Sequence, residues 1–304
     1  MNSDEQQIPI KRMRQSLLGL NTGDCIGENT QYNHKTGKLK YSDIDIFPYT
    51  DDSDESVAIC KTLLEFGCIN QDDLSKRFVQ RYLHSGKAHT YGAGAQRIFT
   101  QLARGKSWVT VAPAEFNGKG SMGNGSAMRI APLGAYFAEN VPQLLINAER
   151  ATVITHSHPE GVAGAVAIAL AASYAWLYKN KSEILIKGGA NNMFDYVISH
   201  MPVSETMRYI GIAATIPKNE NMQVVARTIG CGNKLTCIDS VPIAIYCAAH
   251  NLNSYKSAII QILKSDTGDA DTLCAITGGI VALSSLEPIP QEWIQKCELA
   301  NIEL

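Results

Sequence analysis

Apolar side chains recur every three or four positions along most of the chain, which is the spacing of one helix face. The stretch from Asp72 to Gly86 shows the full pattern. Two acidic residues open it, apolar residues from Leu74 to Leu83 share one face, and the glycine ends it. Alternation with a period of two, which would predict half-buried strands, is scarce. The pattern predicts an all-α fold, with further helices over 9–24, 52–66, 93–104, 142–156, 160–179, 191–201, 204–214, 240–250, 254–265, 271–285 and 290–300.

The helical pattern contains no proline- or serine-rich linker and no repeat of fixed period, so we predict a single compact domain over residues 1–304. Residues 1–12 are mostly polar and are predicted to form a flexible N-terminal segment. Residues 161–178 carry no charge, and their Ala/Gly-rich composition favours a central core helix over a membrane span. Three stretches show little helical pattern, and loops of such length are typically functional or disordered: 25–51, 107–125 and 229–239.

The charge balance excludes several classes of protein. The 304 residues include 27 Lys and Arg against 29 Asp and Glu, so no basic excess is available to bind nucleic acid or anionic lipid. A hydrophobic content of 45% with 18% charged residues excludes a disordered chain. The eight cysteines stand singly without a CxxC pair, and the N-terminus lacks the apolar region of a secretory signal. We therefore expect a cytoplasmic monomer with reduced thiols, with signal-independent export as an open alternative.

Two short acidic segments precede predicted helices. The first is Thr50-Asp51-Asp52 and the second is the stretch from Thr267 to Thr272, TGDADT. Each alone is typical of a helix cap with a solvated face. Together the two segments offer carboxylate and hydroxyl oxygens for six ligand positions, which suits Mg²⁺, Mn²⁺ or Ca²⁺. Neither segment has the residue order of an EF-hand. The pair predicts a metal centre.

A glycine-rich segment and a histidine pair could bind an anion. Residues 118–129 read GKGSMGNGSAMR, and four glycines within eight residues let backbone N–H groups approach a phosphate. The spacing matches neither a Walker loop nor a dinucleotide-binding motif. His156 and His158 precede the Ala/Gly-rich helix, and we predict a hydrogen bond from His156 to a phosphate or ribose. Zinc is the weaker alternative, because a third ligand would have to come from elsewhere.

Taken in order, five segments resemble the ADP-ribosylhydrolase family typified by the dinitrogenase-reductase-activating glycohydrolase. The matching segments are GLNTGDCIG at 19–27, YTDD at 49–52, GNGSAMRIAPLG at 123–134, THSHPEGVAG at 155–164 and GDADT at 268–272. Each match is weak alone, and five in the right order are specific.

The resemblance implies an all-α fold with two Mg²⁺ or Mn²⁺ ions at the floor of a cleft. The implied metal ligands are Thr50, Asp51, Asp52, Asp269, Asp271 and Thr272. The implied contacts to the diphosphate and distal ribose are Gly120, Ser121, Gly123, Asn124 and His156. The implied activity is hydrolysis of the glycosidic bond between ADP-ribose and a modified protein side chain, which releases ADP-ribose. Glu28, directly after GDCIG, is the candidate for the base that accepts a proton from water, and Asp52 is the second candidate.

The sequence departs from the family after TDD, where Asp54 and Glu55 add negative charge. At the cleft rim these acids would favour a cationic target, so we predict a preference for arginine-linked ADP-ribose, with Asp54 in contact with the substrate. The plain alternative is that they only cap the helix. Two further functional alternatives are a hydrolase of serine-linked ADP-ribose and a module of the same fold that binds ADP-ribose without hydrolysing it.

Overall fold

Helices account for most of the chain. The structure is a computed structural model that describes residues 3–187 and 192–300. Within these residues the α-helices are α1 (Ser3–Asn29), α2 (Asp51–Phe66), α3 (Gln71–His84), α4 (Ala93–Ala103), α5 (Trp108–Gly118), α6 (Ala131–Tyr136), α7 (Val141–Val153), α8 (Pro159–Asn180), α9 (Ser182–Lys187), α10 (Met193–His200), α11 (Glu205–Ala213), α12 (Met222–Ile229), α13 (Cys237–His250), α14 (Tyr255–Leu263), α15 (Ala270–Val281) and α16 (Gln291–Lys296). A 3₁₀ helix covers Asn124–Ser126, and strands β1 (Thr30–Asn33) and β2 (Lys38–Tyr41) pair as an antiparallel hairpin.

The predicted fold class is confirmed, since every predicted helix has a counterpart. Position 191, where one predicted helix begins, lies outside the described residues. Two of the three expected loops contain more structure than predicted: the hairpin lies within 25–51, and α5 lies within 107–125. The first helix includes residues 3–12, and the flexibility expected of that segment stays a prediction.

The Ala/Gly-rich helix α8 lies at the centre of the molecule, as predicted. It contacts α6, α7, α10, α13 and α15. Its small side chains are almost all buried, so neighbouring helices approach it on several sides. By length and composition alone α8 could cross a membrane, and most of it is buried inside the protein.

Helices α1 and α15 touch backbone to backbone. A methyl group built on Gly23 would lie 2.1 Å from the carbonyl oxygen of Cys274, and one on Gly27 would lie 2.3 Å from that of Ala270. Gly19 meets Gly278 in the same way, at 2.5 Å. Only glycine permits so short a separation. The contact holds the C-terminal half of α1 directly against the start of α15, which brings the GDCIG segment next to the GDADT segment.

Candidate active site

Asp24 on α1 organises the first turn of α2. Its buried carboxylate accepts hydrogen bonds from the backbone N–H of Thr50 at 3.0 Å and from that of Ser53 at 3.1 Å. The hydroxyls of the same two residues donate to it at 2.9 and 2.6 Å. One carboxylate thus fixes the N-terminal turn that carries Asp51 and Asp52. Asp24 is the acid of the matched GDCIG segment, but it was not among the predicted site residues.

Five carboxylates gather where α1, α2 and α15 meet, and we call them the acidic cluster: Asp24, Asp51, Asp52, Asp269 and Asp271. Burial and the charge of Asp271 raise the pKa of both Asp24 and Asp269 to about 7. Burial and the neighbouring carboxylates also raise the pKa of Asp51 and of Asp52 well above the usual range. Because like charges at short range disfavour ionisation, a cation between them would relieve the repulsion.

The donor set of the acidic cluster fits a divalent cation such as Mg²⁺ or Mn²⁺. One oxygen of Asp52, Oδ1, is buried and has no hydrogen-bond partner among the described residues. An unpaired buried carboxylate oxygen is costly unless a cation or a water satisfies it. The hydroxyls of Thr50 and Thr272, both buried, add hard oxygen atoms to the predicted ligand set. Within the part of the chain that the structure describes, however, no three His, Cys, Asp or Glu side chains are arranged as they would be around a bound metal ion.

The glycine loop, residues 118–125, passes beside the acidic cluster. Gly120 has φ +74°, and a methyl group on it would lie 2.3 Å from the Ser157 hydroxyl, so only glycine fits here. Ser121 Oγ accepts a hydrogen bond from the N–H of Gly123. Asn124 Nδ2 donates to Asp269 Oδ2 at 2.7 Å and to Ser240 Oγ at 2.8 Å. Asn124 therefore joins the glycine loop to the acidic cluster.

His156 lies under the glycine loop. Methyl groups built on Gly123 and Gly125 would lie 3.3 and 3.1 Å from its Nε2 atom. Burial, reinforced by the charge of Arg129, lowers the pKa of His156 to about 3, so its imidazole is neutral. His158 instead caps α8, where its Nδ1 accepts a hydrogen bond from the N–H of Glu160. The two histidines have separate partners, which gives the zinc alternative no support.

Glu28 lies on the last turn of α1 and is exposed. Its partial burial and the charge of Asp271 raise its pKa, while His89 opposes the shift. The preceding residue, Gly27, packs against Ala270 and Asp271 at the start of α15, so Glu28 lies beside the acidic cluster. Its position is compatible with the predicted role of base, because it can reach solvent and the cluster together.

The prediction that Asp54 and Glu55 lie at the rim of a cleft is wrong. Asp54 is fully buried, and its carboxylate accepts hydrogen bonds from Arg81 Nε at 2.8 Å and from the Tyr91 hydroxyl at 2.6 Å. Glu55 is also buried, and it forms an ion pair with Arg129. Both acids point into the protein, where its own arginines neutralise them. Neither carboxylate lies at a rim where it could bind a substrate cation.

Two exposed apolar residues flank the glycine loop and were not predicted. Phe116 has φ +51° and is 56% exposed, and Leu235 has φ +53° and is 55% exposed. The carbonyl of Leu235 accepts a hydrogen bond from the N–H of Asn124, so it is tied to the loop. Left-handed backbone at residues other than glycine is strained and clusters at binding sites. The order of residues in the sequence gives no sign of this strain.

Comparisons with known proteins identify the family to which this chain is similar. A family model described as ADP-ribosylglycohydrolase matches residues 5–303. The human ADP-ribosylhydrolase ARH3 is 28% identical, over 95% of this chain and 90% of its own. A putative ADP-ribosyl glycohydrolase, L543, of Acanthamoeba polyphaga mimivirus is 25% identical, over 93% of this chain and 89% of its own. A solved structure of an ADP-ribosylglycohydrolase-related protein complex has the same fold, with a TM-score of 0.64 at 21% identity, and the match covers 96% of this chain and 94% of that one.

Proposed function

The chain belongs to the ADP-ribosylglycohydrolase family, and on that premise we propose that it hydrolyses the glycosidic bond joining ADP-ribose to a modified protein side chain. The observation that carries the proposal is the hydrogen bond from Asn124 to Asp269. It couples a loop suited to a diphosphate with a cluster suited to divalent cations. A substrate bound along the glycine loop would present its distal ribose to the acidic cluster.

The six predicted ligands, Thr50, Asp51, Asp52, Asp269, Asp271 and Thr272, would hold two Mg²⁺ or Mn²⁺ ions. Bound there, the ions would orient the ribose hydroxyls and lower the pKa of a water molecule. Asp24 contributes by holding the first turn of α2 through the backbone N–H groups of Thr50 and Ser53. Outer partners of this kind fix the orientation of metal-binding side chains.

The glycine loop and His156 would bind the diphosphate. A neutral imidazole can donate one hydrogen bond to a phosphate oxygen at any pH above its lowered pKa, which is about 3. Backbone N–H groups of the loop would add further donors. The exposed ring of Phe116 offers an apolar face to the nucleoside base. Contacts far from the reacting carbon would thus position it for attack by water.

Glu28 would accept the proton of the attacking water as the bond at C1 of the ribose breaks. Its raised pKa makes the carboxylate a better base than a fully solvated one. Replacing Glu28 with Gln should preserve binding of ADP-ribose and reduce kcat at least about a hundredfold. An unchanged kcat would move the assignment to Asp52.

A separate question is which amino acid carries the ADP-ribose in the substrate. The basis for an arginine preference was an acidic rim, and Asp54 and Glu55 are instead paired with Arg81 and Arg129. With no carboxylate of this pair free to bind a guanidinium, we propose that serine-linked ADP-ribose is hydrolysed at least as well as arginine-linked ADP-ribose. A hydroxyl leaving group needs no cation-binding rim.

The test is a comparison of proteins carrying ADP-ribose on serine, on arginine or on glutamate, each with Mg²⁺ or with a chelator. We expect release of free ADP-ribose that depends on Mg²⁺, with serine at least equal to arginine. Binding of ADP-ribose without turnover of any substrate would favour the binding module instead. A clear preference for arginine would overturn the assignment of the linkage and leave the assignment of the reaction intact.

A further inference from the structure

A buried chain of hydrogen bonds runs from α2 to the imidazole under the glycine loop. It begins at Arg129, whose guanidinium is fully buried and stacks on the ring of Phe78 at 4.4 Å. The guanidinium pairs with Glu55 and donates from Nη2 to the Ala151 carbonyl at 3.2 Å. The same nitrogen donates to Thr155 Oγ1 at 2.7 Å. The chain then continues from Thr155 Oγ1 to His156 Nδ1, also at 2.7 Å.

The direction of each hydrogen bond follows from the groups involved. A guanidinium only donates, so Thr155 Oγ1 accepts from Arg129. The Thr155 hydroxyl has one hydrogen left to donate, and the side chain is fully buried away from water. Among the described residues, its one remaining partner is His156 Nδ1. The hydroxyl therefore donates to Nδ1, which must carry no hydrogen.

The other ring nitrogen then carries the hydrogen of the neutral imidazole. That atom, Nε2, faces the glycine loop, at 3.1 Å from the position of a methyl group on Gly125. The N–H is thus directed at the site where the proposed diphosphate would lie. With the opposite tautomer, Nε2 would present a lone pair to a phosphate oxygen and repel it.

We propose that Arg129 and Thr155 are positioning residues that hold His156 in the tautomer with hydrogen on Nε2, so that it donates to an anionic ligand in the glycine loop. The proposal rests on the proposed function for the identity of that ligand. The arginine that neutralises Glu55 on α2 also sets the donor beneath the loop. The buried Arg129 guanidinium therefore links α2, which carries part of the acidic cluster, to the histidine beneath the glycine loop.

The first experiment measures the tautomer without a ligand. Two-dimensional ¹H–¹⁵N spectra of histidine-labelled protein distinguish a protonated ring nitrogen from an unprotonated one. For His156, assigned by its absence in His156→Gln, we expect a protonated Nε2 and an unprotonated Nδ1 between pH 5 and pH 8. A protonated Nδ1 would overturn the proposal, whatever the protein binds.

The second experiment removes the Thr155 hydroxyl at nearly constant volume. Thr155→Val should weaken binding of ADP-ribose about threefold to tenfold, which is the worth of one neutral hydrogen bond, and should leave adenosine binding unchanged. Thr155→Ser keeps the hydroxyl and should restore the affinity. The matched control is Thr152→Val, since Thr152 is equally buried on α7 and its hydroxyl donates to the Ala148 carbonyl. The backbone carbonyl of Thr152 accepts a hydrogen bond from the N–H of His156, and this bond is kept in the valine variant.

The outcomes separate this proposal from the proposed function. If the unmodified protein binds no ADP-ribose, the proposed function fails, and the tautomer measurement still decides the role of Thr155. If it binds ADP-ribose and Thr155→Val binds equally well, the positioning role is wrong and the proposed function stands. An equal loss of affinity in Thr152→Val would assign the effect to packing and also reject the positioning role.

Discussion

Asp51 and Asp52 lie one helical turn before Asp54 and Glu55, and all four are buried at the start of α2. The first pair faces other carboxylates, and burial with this repulsion raises the pKa of both. The second pair faces two arginines, each of which neutralises one acid. The comparison shows that charge density along a sequence does not distinguish a cation-binding pair from a structural ion pair. The partners, which come from distant positions, decide the difference.

The largest effect on stability is expected from breaking the ion pair between Glu55 and Arg129. Glu55→Gln would leave the Arg129 guanidinium buried without its counter-charge, which typically costs about 3–5 kcal/mol of unfolding free energy. Urea denaturation followed by circular dichroism measures the loss. The control is Glu65→Gln, because Glu65 pairs with Arg77 at the surface and its side chain is 58% exposed. That change should cost at most about 1 kcal/mol, and equal losses in the two variants would contradict the comparison.

Removal of one acid from the cluster should act on turnover rather than on folding. Loss of even an outer partner of a metal ligand costs about tenfold to a hundredfold in metal affinity or activity. Asp269 is a predicted ligand itself, so Asp269→Asn should lower kcat at least about a hundredfold and weaken Mg²⁺ binding. Circular dichroism should show unchanged helix content. Asp266→Asn is the control. Asp266 lies three positions before Asp269, is exposed, and forms hydrogen bonds with His34 and Gln223. Full activity of Asp269→Asn would reject the metal assignment.

The pH dependence of stability should reveal the acidic cluster directly. In metal-free protein, Asp24 and Asp269 have a pKa of about 7, above the unfolded value of 3.8, so the folded state holds protons that the unfolded state releases. Their contribution to stability is complete below about pH 4 and is lost as the pH rises through about 7. Mg²⁺ must displace these protons, so it should raise the melting temperature more at pH 8 than at pH 5. An equal rise at the two pH values would count against the cluster as the Mg²⁺ site.

The smallest effect has the opposite sign to the first. Asp51→Asn removes one repelling charge, so the metal-free protein at pH 8 should gain about 1 kcal/mol of unfolding free energy. With saturating Mg²⁺ the variant should lose that advantage, because the ion stabilises the unmodified protein more. Thermal melts with chelator and with Mg²⁺ provide both values. Destabilisation of the metal-free variant would mean that Asp51, like Glu55, has a compensating partner.

Periodicity was enough to predict twelve of the helices, because an apolar face has to repeat with the helix, but it did not predict α5, α6, α9 and α12. The position of Asp51, Asp52, Asp269 and Asp271 at helix starts was also predictable, because both acidic segments directly precede an apolar helical pattern. Their role as metal ligands stays a prediction. Asp24 was missed because it lies inside α1 rather than at the start of a helix, and its importance comes from its hydrogen bonds with Thr50 and Ser53 at the start of α2. Asp54 and Glu55 were misplaced because Arg81 and Arg129 reach them from distant parts of the chain.

The contact between α1 and α15 constrains how this sequence can change over time. Gly19, Gly23 and Gly27 are spaced four apart, so the close contact depends on their register as well as on their identity. Inserting one residue within α1 would rotate the following part of the helix by about 100° and turn bulkier side chains toward Ala270 and Cys274. The same rotation would carry Asp24 away from α2. Insertions should therefore be tolerated in the hairpin and in the surface loops, and the length of α1 should be among the slowest features of this protein to drift.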